Sequence, residues 1–352
     1  MNNDEINDKR EISEFRKLTF SGYARGKVKK ELLKSIIKSD IEPACHWSSE
    51  LICSGLFEDL WEIIILYMSR YIYSSNPKLP IYIDMRFVTF KQILISGYSD
   101  NILKLRNNEK IRKLFAELIS ILCFSRKKHA FESLTIKDSN EFDITKLTSK
   151  LKAPNINYAS NCFTNEDPKE LLICINEFAY HISKDSRDLI LACYWLEWLI
   201  DYDTVCRTKK IVCLAERRSF APVDSKLQMD LIWILWDAII SESNKKDSTI
   251  QKIIKSLLNI FSIKYSVGVK KRRKYVLYFA CSLLTDKIDK NIPFIQQKDK
   301  VEMIVKKINI LYREIKKNEI TPDTDYLFNG LEKSNFDKTI EKLDKLRDND
   351  IF

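Results

Sequence analysis

The residues able to do chemistry are few, and their spacing argues against most of the chemistry they could support. The chain has nine cysteines and three histidines. Cys45, His46 and Cys53 offer sulfur and nitrogen donors, but no CxxC or HxxxH spacing closes a tetrahedral metal site. On a helix, positions 46 and 53 share a face while 45 points about 100° away. Cys206 and Cys213 lie two helical turns apart, too far to share an ion unless the chain bends. The cysteines, an odd number without paired spacing, mostly fall inside apolar periodic segments. There a thiol acts as a small hydrophobe in a reducing compartment. No metal is expected.

Glu197 and Asp201 stand four apart with Asp203 beside them, so two carboxylates can share one helix face. A general acid–base pair is one reading. Pairing with the nearby Arg207, Lys209 and Lys210 is the plainer one. There are only six glycines, and Ser21-Gly22-Tyr23-Ala24-Arg25-Gly26-Lys27 lacks P-loop spacing. No catalytic or cofactor-binding residue is assigned, and a non-enzymatic protein is expected.

Charge gives the clearest signal. Against 59 basic and 49 acidic residues overall, the stretch 248–285 holds no acid, yet carries Lys252, Lys255, Lys264, Lys270, Lys271, Arg272, Arg273 and Lys274. Phe261, Tyr265 and Tyr275 are interleaved with them. An exposed turn carrying Lys264, Lys270, Lys271, Arg272, Arg273 and Lys274 would suit nucleic-acid phosphates, an acidic protein or an anionic membrane surface. Residues 270–274 also read as a minimal nuclear-import motif. The bland alternative is a solvated basic turn.

These residues are positioned by helices. Apolar residues make up 45% of the chain and aromatics 11%, a globular composition. The longest uncharged apolar run, 275–285, is far short of the ~20 residues a membrane span needs. Residues 1–10 have no signal-peptide core, so no membrane insertion is expected. Periodicity of 3.6 predicts helices over 27–39, 43–54, 57–74, 87–96, 109–127, 168–183, 187–203, on to about 218, 225–243, 250–262, 272–287 and 299–317. A short extended piece is expected at 81–84, with 134–144 as the other possible β-element. The fold class is therefore all-α. A polar leader (1–26) precedes an N-terminal helical domain (27–152). A linker (153–167) leads to a C-terminal helical domain (168–331) and a charged tail (332–352).

Six tryptophans mark the expected core: Trp47, Trp61, Trp195, Trp198, Trp233 and Trp236. A binding face is the competing reading, since Trp and Tyr dominate interface energetics. Flanking Leu, Ile and Cys make these helices apolar nearly all round, which favours packing. Asp40, Ala44, Cys45, Trp47, Leu51 and Ile52 match Asp188, Ala192, Cys193, Trp195, Leu199 and Ile200 at a constant offset of 148 residues. A duplicated helical module would produce that echo, and so would two unrelated helices with similar packing needs.

The run 30–55, with Leu60-Trp61, Asn76-Pro77-Lys78-Leu79-Pro80, Ala192-Cys193-Tyr194-Trp195-Leu196-Glu197-Trp198 and Ile232-Trp233-Ile234-Leu235-Trp236-Asp237, resembles helical proteins of nucleocytoplasmic large DNA viruses. That resemblance spans most of the chain, but its motifs are packing motifs. It implies a minor capsid or other virion-associated component with capsid proteins as partners. The locations implied are host cytoplasm or viral factory, and the virion. Residues 33–55 are also similar to the C-terminal helical region of clamp-loader-related replication-associated recombination ATPases. There a Lys-Ser-Ile helix and an Asp (Asp40) precede an Ala-x-x-Trp helix (Ala44, Trp47) ending in Gly (Gly55). No Walker A motif is present, so ATPase activity is not carried over. The alternative function is a nucleic-acid-associated accessory factor in replication or transcription, with nuclear entry open.

Overall fold

Residues 5–96, 102–132, 136, 142 and 147–320 are described by this computed structural model. Among them are thirteen α-helices and no strand, so the chain is an all-α, multi-helix protein. The helices are α1 (Arg25–Lys38), α2 (Ile41–Cys53), α3 (Phe57–Tyr67), α4 (Leu79–Ile95), α5 (Ile102–Arg106), α6 (Glu109–Phe124), α7 (Leu172–Ile182), α8 (Leu189–Thr208), α9 (Ile232–Ser243), α10 (Ser248–Phe261), α11 (Val269–Arg272), α12 (Lys274–Thr285) and α13 (Lys298–Lys316).

Local sequence explains the boundaries. Asn108, Asp188 and Asp247 cap α6, α8 and α10, each side chain accepting from an amide of the first turn. Such caps satisfy donors that a helix start leaves orphaned. The longest uncharged run becomes the central helix: every residue of α12 from Tyr275 to Thr285 is buried. It is surrounded by α7, α8, α9, α10 and the π-helical turn Met68–Ile72. A helix apolar on all sides needs such a position.

The packing of the first half recurs in the second. α1 packs on α2, α3 and α6, and α7 packs on α8, α9 and α12. Likewise α2 meets α3 and α6 while α8 meets α9 and α12. Contacts of α3 and α4 with α6 parallel those of α9 and α10 with α12. Both leading hairpins turn at a residue with positive φ, Ser39 (62°) and Arg187 (52°), and both second helices follow directly on an Asp. The halves meet where α4 packs on α10, with Asn259 donating to Asp84 at 2.8 Å, and where α12 packs on α3 and the Met68–Ile72 turn. α13 lies on α2 and α6 and joins one contiguous core with the rest.

Several expectations change. Residues 81–84 are helical, because Pro80 occupies the first turn of α4, where no intrahelical N–H is required. The reading of 134–144 falls almost wholly outside the described residues, as does the 332–352 tail. Residues 211–218 form no helix: Lys210 adopts φ 58° and ends α8. The described part of the leader is docked, with Ile6, Phe15 and Phe20 buried and Lys9 donating to the Ile320 carbonyl. The 153–167 segment is equally tied down. Lys152 and Ala153 donate to Glu177 at 2.9 and 3.0 Å, and Asn176 donates to the Asn155 carbonyl.

Candidate functional site

The basic cluster and the carboxylate cluster are one structure. Lys270 is 3% exposed and lies 2.5 Å from Asp203 and 2.8 Å from Asp230. Arg207 completes the group, 2.8 Å from Asp203 and 3.7 Å from Asp230. Lys271 reaches Asp201 at 3.4 Å, and Lys274 reaches Glu197 at 2.8 Å, with Tyr278 donating its hydroxyl to the same carboxylate. So α8 supplies acids at 197, 201 and 203, and the α11–α12 junction supplies cations at 274, 271 and 270. Buried charges persist only when paired, and these two sets pair with each other.

Arg273 is buried for another reason. It donates to the Phe261 and Ile263 carbonyls at 2.7 and 2.6 Å, closing the end of α10, and to Glu62 on α3. Cations suit the carbonyl end of a helix. The expected exposed turn is therefore corrected. Lys270, Arg273 and Tyr265 are buried and Lys274 is half-buried. Lys264 is exposed but paired with Glu58. Lys271 and Arg272 are the exposed members of 270–274. A receptor cannot read the import motif while two of its five bases lie inside the protein.

A second buried node holds the outer segments. Arg218, 5% exposed, forks onto Asp167 at 3.0 and 2.6 Å. It also meets Asp237 at 3.1 Å and the Cys162 carbonyl at 2.8 Å. Burial alone would raise the Asp167 pKa. The Arg218 guanidinium and the amides of Thr164 and Glu216 outweigh it and hold the carboxyl below its usual value. Asp237 shifts upward, because there burial wins over Arg218. A carboxyl lowered on folding adds stability above its unfolded pKa and loses it as pH falls through the folded one. Asp237 acts in the opposite sense. Urea unfolding from pH 7 down to 3 is therefore expected to show an acid-side loss in the wild type. Part of that loss should be missing in Asp167→Asn.

The thiols are inert by position. Eight cysteines are buried and Cys213 is half-buried, all of them unbridged. The bend at Lys210 returns the chain so that Cys213 interacts with Cys206, and burial pushes the Cys213 thiol up to about 12. The two are thus neighbours, a closeness that helical spacing could not foretell. Thiolate, not thiol, is the nucleophile. An aromatic disulfide reagent is expected to label Cys213 slowly and first, with the others reacting only on unfolding. Among the described residues no group of His, Cys, Asp and Glu could hold a metal ion.

The tryptophans divide. Trp61, Trp195, Trp198, Trp233 and Trp236 are at most 4% exposed. Trp47 is half-buried, edge-on to Tyr23 at 5.4 Å and to His46 at 5.0 Å. It lies at the rim of the core and not inside it, unlike Trp195, its partner in the sequence echo. Beside this rim runs α1, whose buried face is Val28, Leu32, Ser35 and Ile36. Its opposite face presents Lys27, Lys30, Lys34 and Lys38, all exposed and spaced to form one stripe. Lys34 also meets Glu31 at 3.5 Å. Reading charge by sequence window missed this surface, because its bases recur every three or four residues and do not run together.

A groove of about 700 Å³ between α4, α6 and α13 is lined by mixed charges, including Arg86, Lys113, Glu117 and Glu302. Arg86 and Glu117 pair at 2.9 Å across it. The fold and these surfaces define a multi-helix protein with interior ion-pair nodes and a basic outer face. No protein-family model matches the chain, nor does any curated protein or solved structure.

Proposed function

We propose that this chain is a non-enzymatic structural or interaction protein, serving as a minor capsid or other virion-associated component of a large DNA virus. The observation that carries the reading is the fate of its reactive groups. Glu197, Asp203, Asp230, Lys270 and Arg273 are consumed in interior ion pairs, which leaves surface contact as the work available to the exposed side chains. The resemblance of 30–55, Leu60-Trp61, 76–80 and the two later Trp segments to large-DNA-virus helical proteins supports the virion assignment. Other proteins, capsid proteins among them, are the partners. Quantitative mass spectrometry of purified particles is the test, and the expected result is a fixed copy number per particle. Enrichment in infected cells with none in particles would remove the virion assignment.

A second reading, a nucleic-acid-associated accessory factor, is favoured by the Lys27–Lys30–Lys34–Lys38 stripe beside Tyr23 and Trp47. Phosphate neutralisation makes binding fall with salt, by ~0.9 in log K against log salt per contact on duplex DNA. Neutralising Lys27, Lys30 and Lys38 should flatten that slope. No binding of DNA or RNA below ~100 μM at physiological salt, weak even for non-specific contact, would eliminate this reading.

A further inference from the structure

Beyond α8 the chain runs from Ile211 to Arg218 without helix, turn or bend. Its ends are pinned. The Ile211 amide donates to the Cys206 carbonyl, Ala215 to the Met229 carbonyl and Arg218 to the Gln228 carbonyl. Between the pins, the N–H and C=O groups of Val212, Cys213 and Leu214 bond to no group among the described residues. After an exposed Ile211 the side chains alternate from Val212 to Glu216. Val212 is 83% exposed and Leu214 45%, while Cys213 is half-buried and Ala215 buried. That is the pattern of a half-buried strand, with one rail of backbone groups and one row of apolar side chains left over. Such an edge is a template for another strand.

We propose that residues 211–214 accept an extended acidic–apolar peptide segment as an added β-strand. Backbone hydrogen bonds would supply affinity and the outward Val212 and Leu214 would select apolar residues at alternate positions, the general logic of strand addition. Charge selects the partner's sign. Lys209 and Lys210 are exposed at one end and make no ion pair among the described residues, and Arg217 is exposed at the other. Glu216, 44% exposed at its side chain, and the exposed Glu170, close enough to act on Cys213, are the opposing acids, outnumbered by the three cations. A basic segment, or a second copy of this edge bringing its own three cations, meets net repulsion. The inference rests on the interaction-protein reading but fails separately from it. Absent peptide binding removes the edge alone, and absence from particles removes only the virion assignment.

The test is fluorescence anisotropy of the full chain with labelled ten-residue peptides alternating Val with Glu, or Val with Lys. The Val–Glu peptide is expected to bind, and the Val–Lys peptide to bind at least ~10-fold more weakly. Lys209→Glu combined with Lys210→Glu should reverse that order. Val212→Pro, which deletes one free N–H at an exposed position, should weaken the Val–Glu peptide ~10-fold. Methylating alternate amides of the peptide should do the same without touching the protein. The proposal is overturned by no binding up to ~1 mM, where affinity is only about −4 kcal/mol. It is equally overturned by equal binding of both peptides or by indifference to amide methylation. Sedimentation showing a dimer that Val212→Pro dissolves would overturn it too, since a second copy would then occupy the edge.

Discussion

Lys270→Ala is expected to destabilise the protein by about 3–5 kcal/mol, because it strands Asp203 and Asp230 inside with Arg207 as their remaining cation. Lys270 lies within 3 Å of both carboxylates and is 3% exposed. Arg272→Ala, two residues on at an exposed position, should change stability by no more than about 0.5 kcal/mol. Urea midpoints of the two variants measure the contrast directly. Adding Asp230→Asn to Lys270→Ala should recover part of the loss, since one orphaned charge is removed, and the double-mutant cycle reports the coupling. Equal midpoints for the two single variants would mean that Lys270 is solvated, and the interior node would have to be abandoned. Neutralising all of 270–274 together is expected to unfold the chain, which disqualifies that variant as a probe of binding.

The second large effect is at Trp195. Trp195→Ala should cost about 3–5 kcal/mol by leaving a cavity among residues that cannot close over it. Its indole is 1% exposed and stands 6.2 Å from Trp198 and 5.3 Å from Tyr194, ring centre to ring centre. The indole N–H has no hydrogen-bond partner among the described residues, so Trp195→Phe removes an unsatisfied donor along with volume and should cost clearly less than alanine. Trp47→Ala should cost only about 1–2 kcal/mol, the burial of part of a side chain. Thermal or urea unfolding of the three variants gives the ranking. A Trp47→Ala loss as large as that of Trp195→Ala would put Trp47 back in the core.

Helices were legible because apolar spacing and caps are local. Residues 250–262 and 299–317 differ from α10 and α13 by at most two residues at either end. What escaped depended on distant partners. Lys270 reads as exposed in a run of five bases, and only the fold reveals that Asp203 on α8 and Asp230 just ahead of α9 are its acids. Pro80 reads locally as a breaker with an extended piece after it; its place in the first turn of α4 goes with Leu79 and Ile83 packing into the core. Trp47 and Trp195 sit in matching sequence contexts, yet α2 leaves one at the rim while α8 is enclosed. The edge at 211–214 was hidden because Ile211, Val212 and Leu214 look like continuing helix. The positive φ at Lys210 that redirects them has no glycine to announce it.

The packing of α4 on α10 sets each half's fourth helix against its positional counterpart, the relation found where two identical subunits meet across a twofold axis. Here both sides belong to one polypeptide, so the encounter is unimolecular and its effective concentration is fixed by the connecting chain rather than by dilution. Cutting the backbone between residues 132 and 147 would turn that pairing, together with the packing of α13 on α2 and α6 and of Met68–Ile72 on α12, into an ordinary bimolecular equilibrium. The halves would then hold together at high concentration and part at low, whereas the intact chain keeps its α4–α10 seam at any dilution.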